Sequence, residues 1–547
     1  MFARCSLTIL IFTSACLPLA QAQVIRYVDD DAATGGDGLA WATAYKCLQD
    51  ALWEAGANGT ITDIRVAQGT YTPDVDEGGQ VTPGDRAANF GLISGVKLKG
   101  GYAGLGARDP DARDIKAQET ILSGDLAGDD GPDFANDGEN SYHVVTGGVL
   151  DATAVLDGVT ITGGNGGPGG GVSLSGVSAS LSSDPTLVDC TIRANRGGTG
   201  GGMYFYRSAA SLTGCTLSGN LSGTSGGGFA AASGYYFLGP TFLRCTVSGN
   251  SAGSEGGGGH ASGEILLKMQ ECTLSENTAV SDGGALHLSQ DTNAYVTDCV
   301  LRKNSAGGDG GAVYSNAGVG GYAGFTNCVF GGNKASGDGG AYRDPGFSSY
   351  QGFARCTFNG NTAVHGGAIS VYGDDSHVGV NNCIVWDNGG GELSFGPYTS
   401  VTMNYSDVDH YLSGTGTGNI RVYPRFVDAD GPDGIYGTED DNLRLQPASP
   451  CINTGDPAFL PGPEKTDLDG HSRVLCGRLD MGAYEFGIGD YDCDLGVDLD
   501  DFYYWDRCVT GPGGGPYDPG CEAFDFEYDA DVDLKDVAGF QMVFGID

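Results

Sequence analysis

Short apolar runs alternate with glycine- and asparagine-rich turns in the central part of the chain, and this pattern recurs about every 28 residues. Each recurrence contains a cysteine that starts a β-prone run such as Cys-Thr-Leu or Cys-Val-Phe. The eight cysteines are Cys190, Cys215, Cys245, Cys272, Cys299, Cys328, Cys356 and Cys383. An asparagine follows each of them by five residues, and in the first seven repeats a Gly-Gly pair then opens another apolar run. Units this short cannot bury a core alone, so they must stack to share one.

Stacked units of this kind predict an all-β fold, a right-handed parallel β-helix that is a single-stranded solenoid. Hydrogen bonding between coils, at about 4.8 Å per coil, places equivalent residues in ladders. We therefore expect a cysteine column inside and an asparagine column at a turn, because asparagine tolerates left-handed backbone and its amide bonds the copies above and below.

The cysteines of this column are expected to be free thiols. In-register side chains on parallel strands point the same way, which fits disulfide torsions poorly, although a set of disulfides is the alternative in an exported chain. The better disulfide candidates lie outside the column, and they are Cys451 with Cys476 and Cys508 with Cys521.

The start of the chain predicts export. Arg4 precedes an apolar run, and the small-x-small pattern at Ala20 and Ala22 predicts cleavage before Gln23. Cleavage before Cys16 with a lipid anchor is the alternative. No later stretch has the ~20 apolar residues of a membrane span, so we expect a secreted or cell-surface protein without a transmembrane segment.

The charge of the chain limits the kinds of partner that it can bind. The net charge is −41, from 69 acidic and 28 basic residues, and it disfavours nucleic acid and anionic membranes because like charges repel. Cations or neutral polymers suit this charge better. Glycine accounts for 97 of 547 residues without a three-residue period, which indicates many tight turns and excludes collagen.

The flanks of the repeats predict the ends of the solenoid. An amphipathic helix over residues 41–56, with Leu48, Ala51, Leu52 and Ala55 on one face, would cap the N-terminal end and cover its edge strand. The predicted organisation is a signal peptide (1–22), an N-terminal cap with irregular first coils (23–150), regular repeats (151–420), a closing segment (421–486) and an acidic module (487–547).

The acidic module contains two twelve-residue loops that start 35 residues apart, each followed by an amphipathic run. Oxygen ligands stand at positions 1, 3, 5, 7, 9 and 12, a spacing that predicts calcium binding. In the first loop these residues are Asp490, Asp492, Asp494, Gly496, Asp498 and Asp501, and in the second they are Asp525, Glu527, Asp529, Asp531, Asp533 and Asp536. We expect a small α-helical module with calcium as its cofactor; the alternative is an acidic tail without metal.

A second group of polar residues lies beside the Gly-Gly pairs. Glu255, Asp282, Asp309, Asp338 and then His365 immediately precede successive pairs, so they should form one column. His287, Tyr314, Arg343 and Ser370 follow the last four of these by five residues. Our hypothesis is that this column, with His287, Tyr314 and Arg343, is a ligand-contacting face at which calcium bridges an anionic glycan. The alternative is that Asp-Gly is only favourable turn chemistry.

Several motifs resemble known families. Phe330-Gly331-Gly332-Asn333 and Phe358-Asn359-Gly360-Asn361, with the Gly-Gly-Ala runs, resemble the FxxN and GGAI repeats of polymorphic outer membrane proteins, which implies a surface protein linked to adhesion. Residues 449–456 and 480–485 resemble the closing segment of secreted β-helix proteins grouped near pectate lyases. The two loop-helix units resemble a type I dockerin, which implies docking to a cohesin-like protein.

Two classes of function therefore remain open. One is a non-catalytic surface or adhesive β-helix that binds polysaccharide or cell-surface glycans and is docked through a calcium-dependent module. The other is a polysaccharide lyase or glycoside hydrolase delivered by that module, although the fold supports this class only by analogy. The first is favoured because regular repeats without an inserted loop give catalysis no distinctive place.

Overall fold

The computed structural model describes residues 24–234, 238–410, 416–460, 466–493, 497–512, 521–526 and 531–543 of the chain. The expected cleavage site before Gln23 and the alternative site before Cys16 lie outside the described residues. Within the described residues, no helix is both long enough and apolar enough to cross a bilayer.

Successive coils contribute strands to four parallel sheets, which we number in the order in which a coil meets them. A coil runs through sheet 1, the column cysteine, sheet 2, the column asparagine, sheet 3 and the Gly-Gly pair, and then enters sheet 4. Among the described residues the sheets have 13, 12, 7 and 11 strands, respectively. The predicted parallel β-helix is therefore confirmed, and the strands before residue 150 join the same sheets as the regular repeats.

The strands of each sheet follow in chain order. Sheet 1 comprises Ile25–Val28, Asp63–Ala67, Lys97–Tyr102, Val155–Asp157, Thr186–Val188, Ser211–Thr213, Thr241–Leu243, Leu266–Gln270, Asn293–Thr297, Tyr322–Thr326, Tyr350–Ala354, His377–Asn381 and Ser400–Asn404. Sheet 2 comprises Gly69–Tyr71, Thr120–Ser123, Thr160–Thr162, Thr191–Arg193, Thr216–Ser218, Thr246–Ser248, Thr273–Ser275, Val300–Arg302, Val329–Gly331, Thr357–Asn359, Ile384–Trp386 and Asp407–Val408. Sheet 3 comprises Asn165–Pro168, Arg196–Thr199, Leu221–Ser222, Ser251–Ala252, Thr278–Ala279, Ser305–Ala306 and Lys334–Ala335. Sheet 4 comprises Phe90–Gly91, Val145–Gly147, Val172–Ser175, Met203–Tyr206, Phe229–Ala232, Gly259–Ser262, Leu286–Ser289, Val313–Asn316, Tyr342–Asp344, Ile369–Val371 and Leu393–Phe395.

Residues with positive φ lie at the corners of a coil. In one coil they are Glu271 (φ 53°) before the cysteine, Glu276 (φ 57°) before the asparagine, Gly283 (φ 69°) in the Gly-Gly pair, and Gln290 (φ 48°) and Asp291 (φ 58°) between sheet 4 and sheet 1. The left-handed residue therefore precedes the asparagine, so the asparagine's own tolerance of that conformation does not explain its position.

Hydrogen bonding explains the asparagine column instead. Asn277 is fully buried, and its Nδ2 donates to Asn304 Oδ1 at 3.0 Å and to the Val247 carbonyl at 2.8 Å. Its Oδ1 accepts from Asn250 N at 3.1 Å and from Asn250 Nδ2 at 3.0 Å. Because the same bonds recur between neighbouring coils, the predicted amide ladder is confirmed.

The interior is filled by columns of like residues. Phe325 stacks on Phe353 with ring centroids 5.5 Å apart, and Phe330 stacks on Phe358 at 4.6 Å. The eight column cysteines are buried free thiols, as expected. Their Sγ atoms donate to backbone carbonyls, for example Cys272 to Gln270 O at 3.1 Å, so burial leaves no polar group of this column unpaired.

The helix predicted near the N-terminus forms over Leu48–Asn58, and a 3₁₀ turn precedes it at Trp41–Thr43. Leu48, Ala51, Leu52 and Ala55 are buried and pack on the core at the end of the solenoid, as the pattern predicts. Short 3₁₀ turns follow at Pro132–Phe134 and Asp137–Glu139.

The C-terminal end of the solenoid has its own small core. An antiparallel pair, Phe426–Asp428 and Asn442–Leu445, lies beside buried Cys451 and Met481. Beyond it are helices at Leu499–Phe502, Trp505–Cys508 and Leu534–Val543 and a 3₁₀ turn at Cys521–Phe524.

One of the two disulfide predictions is wrong. Cys476 pairs with Cys493, with Cα atoms 5.6 Å apart, and thereby ties the closing segment to the first acidic loop. Cys451 is a buried free thiol whose Sγ donates to Asp407 Oδ2 at 3.2 Å. The prediction fails because Cys451 packs under the last coil, where a carboxylate already satisfies it. The predicted disulfide between Cys508 and Cys521 is present.

Candidate functional site

The polar residues predicted to form a face do lie in register on sheet 4. His260 pairs in register with His287, His287 with Tyr314, Tyr314 with Arg343, and Arg343 with Ser370. The rings of His260 and His287 stack with centroids 5.2 Å apart, and those of His287 and Tyr314 stack at 4.9 Å. Because parallel strands repeat at about 4.8 Å, planar side chains at equivalent positions stack face to face.

The acidic column forms as predicted, and its carboxylates accept hydrogen bonds from backbone N–H groups of the turns. Asp282 Oδ1 accepts the backbone N–H of Asp309 at 2.7 Å, and Asp309 Oδ1 accepts that of Asp338 at 2.7 Å. The second oxygen of Asp309 accepts from Arg343 Nε at 3.4 Å, which links the column to sheet 4. At the next coil, His365 Nδ1 lies 2.8 Å from Asp338 Oδ1. The column therefore combines turn chemistry with contacts to the neighbouring polar row.

Glu255 starts this column and lies against the two histidines. Its Oε2 is 3.7 Å from His260 Nε2 and 3.9 Å from His287 Nε2. The three donor atoms lie within 4.8 Å of one another, close enough to converge on one cation.

Some of these side chains are more buried than the predicted outward-facing position implies. His287 is only 5% exposed and Arg343 only 9%, because each is covered by its stacked neighbours, whereas the His365 side chain is 64% exposed. Arg343 also lies over the Tyr372 ring, 5.2 Å from its centroid. The row is therefore a packed ladder with open edges.

Burial sets the charge of this face. It lowers the pKa of His260 to about 4 and that of His287 to about 3, so both imidazoles are neutral at neutral pH. Burial raises the pKa of Glu255 and of Asp282, and a neighbouring carboxylate adds to each rise. Burial, followed by the charges of Asp282 and Asp309, raises the pKa of Tyr314 to about 12. Added positive charge near these carboxylates would be favourable.

We call one set of side chains the sheet 4 face. They are Glu255, His260, Asp282, His287, Asp309, Tyr314, Asp338, Arg343 and His365. His260 was not among the residues predicted from the sequence, although it follows Glu255 by the same five residues that separate Asp282 from His287. The five-residue offset from Glu255 could therefore have identified His260 from the sequence.

The acidic loops of the C-terminal module share one hydrogen-bonding pattern. Asp501 accepts from Tyr491 N at 2.6 Å and from Asp498 N at 2.8 Å. The equivalent Asp536 accepts from Phe526 N at 2.6 Å and from Asp533 N at 2.7 Å.

The oxygen atoms of the first loop fit a cation. Asp490, Asp492 and Asp501 each offer an oxygen within 4.8 Å of the others, and hard carboxylate oxygens are the ligands that calcium prefers. The described positions of the two loops are Asp490, Asp492, Asp498, Asp501, Asp525, Asp531, Asp533 and Asp536. The other predicted ligands, Asp494, Gly496, Glu527 and Asp529, lie outside the described residues.

A separate groove of about 410 Å³ lies along the outer face of sheet 2. Threonine and serine hydroxyls, such as those of Thr246 and Ser248, line its floor, and Arg302 pairs with Glu439 at its rim. This groove shares no residue with the sheet 4 face.

The sequence matches the family described as right handed beta helix region over residues 175–343. Residues 355–372 match the Chlamydia polymorphic membrane protein repeat, which agrees with the resemblance carried by Phe358 and Asn361. Among solved structures, the crystal structure of pectate lyase Pel9A is similar with a TM-score of 0.44 and 13% identity, over 84% of this chain and 96% of that one. No curated protein matches the sequence. The family match and the strand order together define the solenoid as a right-handed parallel β-helix.

Proposed function

We propose that this protein is an extracellular or cell-surface β-helix that binds polysaccharide or cell-surface glycans through the sheet 4 face. The observation that supports this function best is the stacked row of His260, His287 and Tyr314 beside Arg343 and a column of carboxylates. The open edges of the stacked rings and the charged groups beside them can accept and donate hydrogen bonds to sugar hydroxyls.

A long polymer suits this face better than a small molecule. Polar side chains occupy equivalent positions of successive coils, so the face is an extended strip. Calcium bound by the column carboxylates would allow an anionic glycan to approach a chain whose net charge is −41. The match to a surface-protein repeat at residues 355–372 supports an extracellular location.

The C-terminal loops suggest how the protein is held in place. Paired calcium loops would dock to a cohesin-like protein through the exposed Leu534 and through an apolar groove that Leu499, Phe502 and Phe540 line. Calcium would be held by the carboxylates of both loops and would remove their mutual repulsion.

The test is a triple variant, Asp282→Asn, Asp309→Asn and Asp338→Asn. Asparagine keeps an oxygen for the turn bonds and removes the charge, so the fold should persist. Binding of the secreted protein to pectin, alginate, xylan and bacterial cell surfaces should fall at least tenfold with calcium present. The control is Arg302→Gln with Glu439→Gln on the sheet 2 groove, which should leave binding unchanged. Unchanged binding in a folded triple variant would refute the proposal.

A polysaccharide lyase or hydrolase is the second candidate, and one observation favours it. His365 is exposed and its Nδ1 lies 2.8 Å from Asp338 Oδ1, an arrangement in which a carboxylate orients a histidine for proton transfer. Release of unsaturated or reducing sugars from the same glycans, abolished by His365→Gln, would support catalysis over binding alone.

A further inference from the structure

We infer that Glu255, His260 and His287 form a binding site for a divalent transition-metal ion of the zinc type. The three residues belong to the sheet 4 face, but the inference does not require that this face binds glycan, and it does not involve the C-terminal acidic loops. Two imidazole nitrogens and one carboxylate oxygen are a ligand set used for zinc and for other first-row metals, and they are a poor set for calcium, which takes oxygen ligands.

The donor atoms have the right separation for one metal ion. Bonds of about 2.1 Å at a tetrahedral angle place two donors about 3.4 Å apart. Glu255 Oε2 lies 3.7 Å from His260 Nε2 and 3.9 Å from His287 Nε2. The three ligand atoms lie within 4.8 Å of one another, so rotations of the side chains would bring them to the distances of a shared ion.

The backbone holds the two histidines side by side, because their strands pair in register. Their rings stack 14° from parallel with centroids 5.2 Å apart, so at least one ring must turn about its Cβ–Cγ bond to direct its Nε2 lone pair to a shared ion. Glu255 stands at the corner that leads into the strand of His260, and Ala230 pairs in register with His260 from the preceding coil. Among the residues that the structure describes, no ring stacks on His260 from the alanine side, whereas Tyr314 stacks on the other face of His287.

An unsatisfied ring provides a second observation that points to a ligand. His287 is 5% exposed, its buried Nδ1 has no hydrogen-bond partner within the described residues, and its Nε2 faces the Glu255 carboxylate at 3.9 Å. A buried polar group without a partner is unfavourable. Its Nε2 points toward Glu255 at a distance too long for a hydrogen bond, and a metal ion between them would satisfy both groups.

The arrangement leaves room for a further ligand. Three protein donors leave at least one coordination position for water or for an oxygen of a bound molecule, as in other zinc sites with three protein ligands. Glu255 is partly exposed, so the ion can be reached from solvent. The nearby Asp282 adds negative charge that favours a cation and would accept a hydrogen bond from metal-bound water.

The experiment uses the full secreted chain, stripped of metal and then held in saturating calcium so that the acidic loops do not compete. Titration with Zn²⁺ by calorimetry, and with Co²⁺ by its visible absorption, should show one site with a nitrogen-containing ligand field. Glu255→Gln, His260→Gln and His287→Gln should each weaken Zn²⁺ binding at least tenfold. His377→Gln, on an exposed histidine of sheet 1, is the matched control and should bind as the wild type does.

Folding is checked separately, because His287 is buried. Each variant must retain the far-ultraviolet circular dichroism of the wild type. Glu255→Gln should disturb folding least, because the Glu255 side chain is partly exposed. If Co²⁺ develops no tetrahedral spectrum in the wild type, or if His377→Gln weakens binding as much as His260→Gln, the proposed site does not exist.

Discussion

Replacing Asn277 by alanine tests how much the amide ladder contributes to stability. The side chain is fully buried and makes four hydrogen bonds, two to Asn250, one to Asn304 and one to the Val247 carbonyl. Alanine removes all four. Asn250 Nδ2 retains the Leu217 carbonyl as a partner, but the Asn250 backbone N–H loses the side-chain acceptor that it has in the structure.

The magnitude follows from these contacts. Each hydrogen bond contributes about 0.5–1.5 kcal/mol net, and a buried donor left unpaired costs about 1–3 kcal/mol. The bonds share partners and are not additive, so we expect Asn277→Ala to lower the free energy of unfolding by about 3–5 kcal/mol. Thr278→Ala, at the next and exposed residue, should change it by no more than about 0.5 kcal/mol.

The assay is urea unfolding of both variants, followed by circular dichroism, with amide hydrogen exchange to locate the effect. Exchange should accelerate in the coils that contain Asn250 and Asn304 and stay unchanged near the N-terminal helix, because each coil contacts only its neighbours. If the two variants lose equal stability, or if exchange accelerates evenly along the chain, the ladder does not stabilise the solenoid as argued.

Three further predictions follow from other parts of the chain. Burial raises the pKa of Glu392 to about 7, so the folded protein holds this proton more tightly than the unfolded chain does. That contribution is complete below the unfolded pKa and is lost as pH rises through about 7, so thermal stability should fall between pH 5 and pH 8, less steeply in Glu392→Gln than in the wild type. Calorimetry on the full chain should find two calcium sites, with Asp501→Ala and Asp536→Ala each removing one; two sites in either variant would contradict the loop assignment. The exported protein should begin at Gln23 by N-terminal sequencing, and a lipid on Cys16 would contradict this.

The regular part of the fold was predictable because its physical cause is local and repeated. A left-handed corner, a column cysteine and a column asparagine stand at fixed offsets in every coil, as at Glu271, Cys272 and Asn277. The offset of five residues likewise predicted that Asp282 and His287 share a face. Because the pattern repeats, the position assigned to a residue in one coil could be compared with the same position in the neighbouring coils.

The features that were missed depend on contacts between distant or irregular segments. The partner of Cys476 was mispredicted because only the folded position of the closing segment brings Cys493 within reach. The burial of His287 and Arg343 arises from rings and carboxylates of adjacent coils, and residue type alone indicated an outward, solvated position. Sequence therefore located the face but not its degree of enclosure.

The amide ladder has a polarity that restricts how this architecture can change in length. Within the row, each side-chain amide donates to the amide oxygen of the next coil, from Asn195 to Asn220 and onward to Asn388, whose Nδ2 donates to Glu392 Oε2 at 2.6 Å. The row therefore ends on a carboxyl group, whose two oxygens accept from the backbone N–H and the Nδ2 of Asn388. Gene segments encoding whole coils could therefore be duplicated or lost between the two ends without disturbing the row, whereas a coil added beyond Glu392 would have to displace the terminating carboxylate. Variation in length among proteins built on this plan should accordingly arise from the interior of the array.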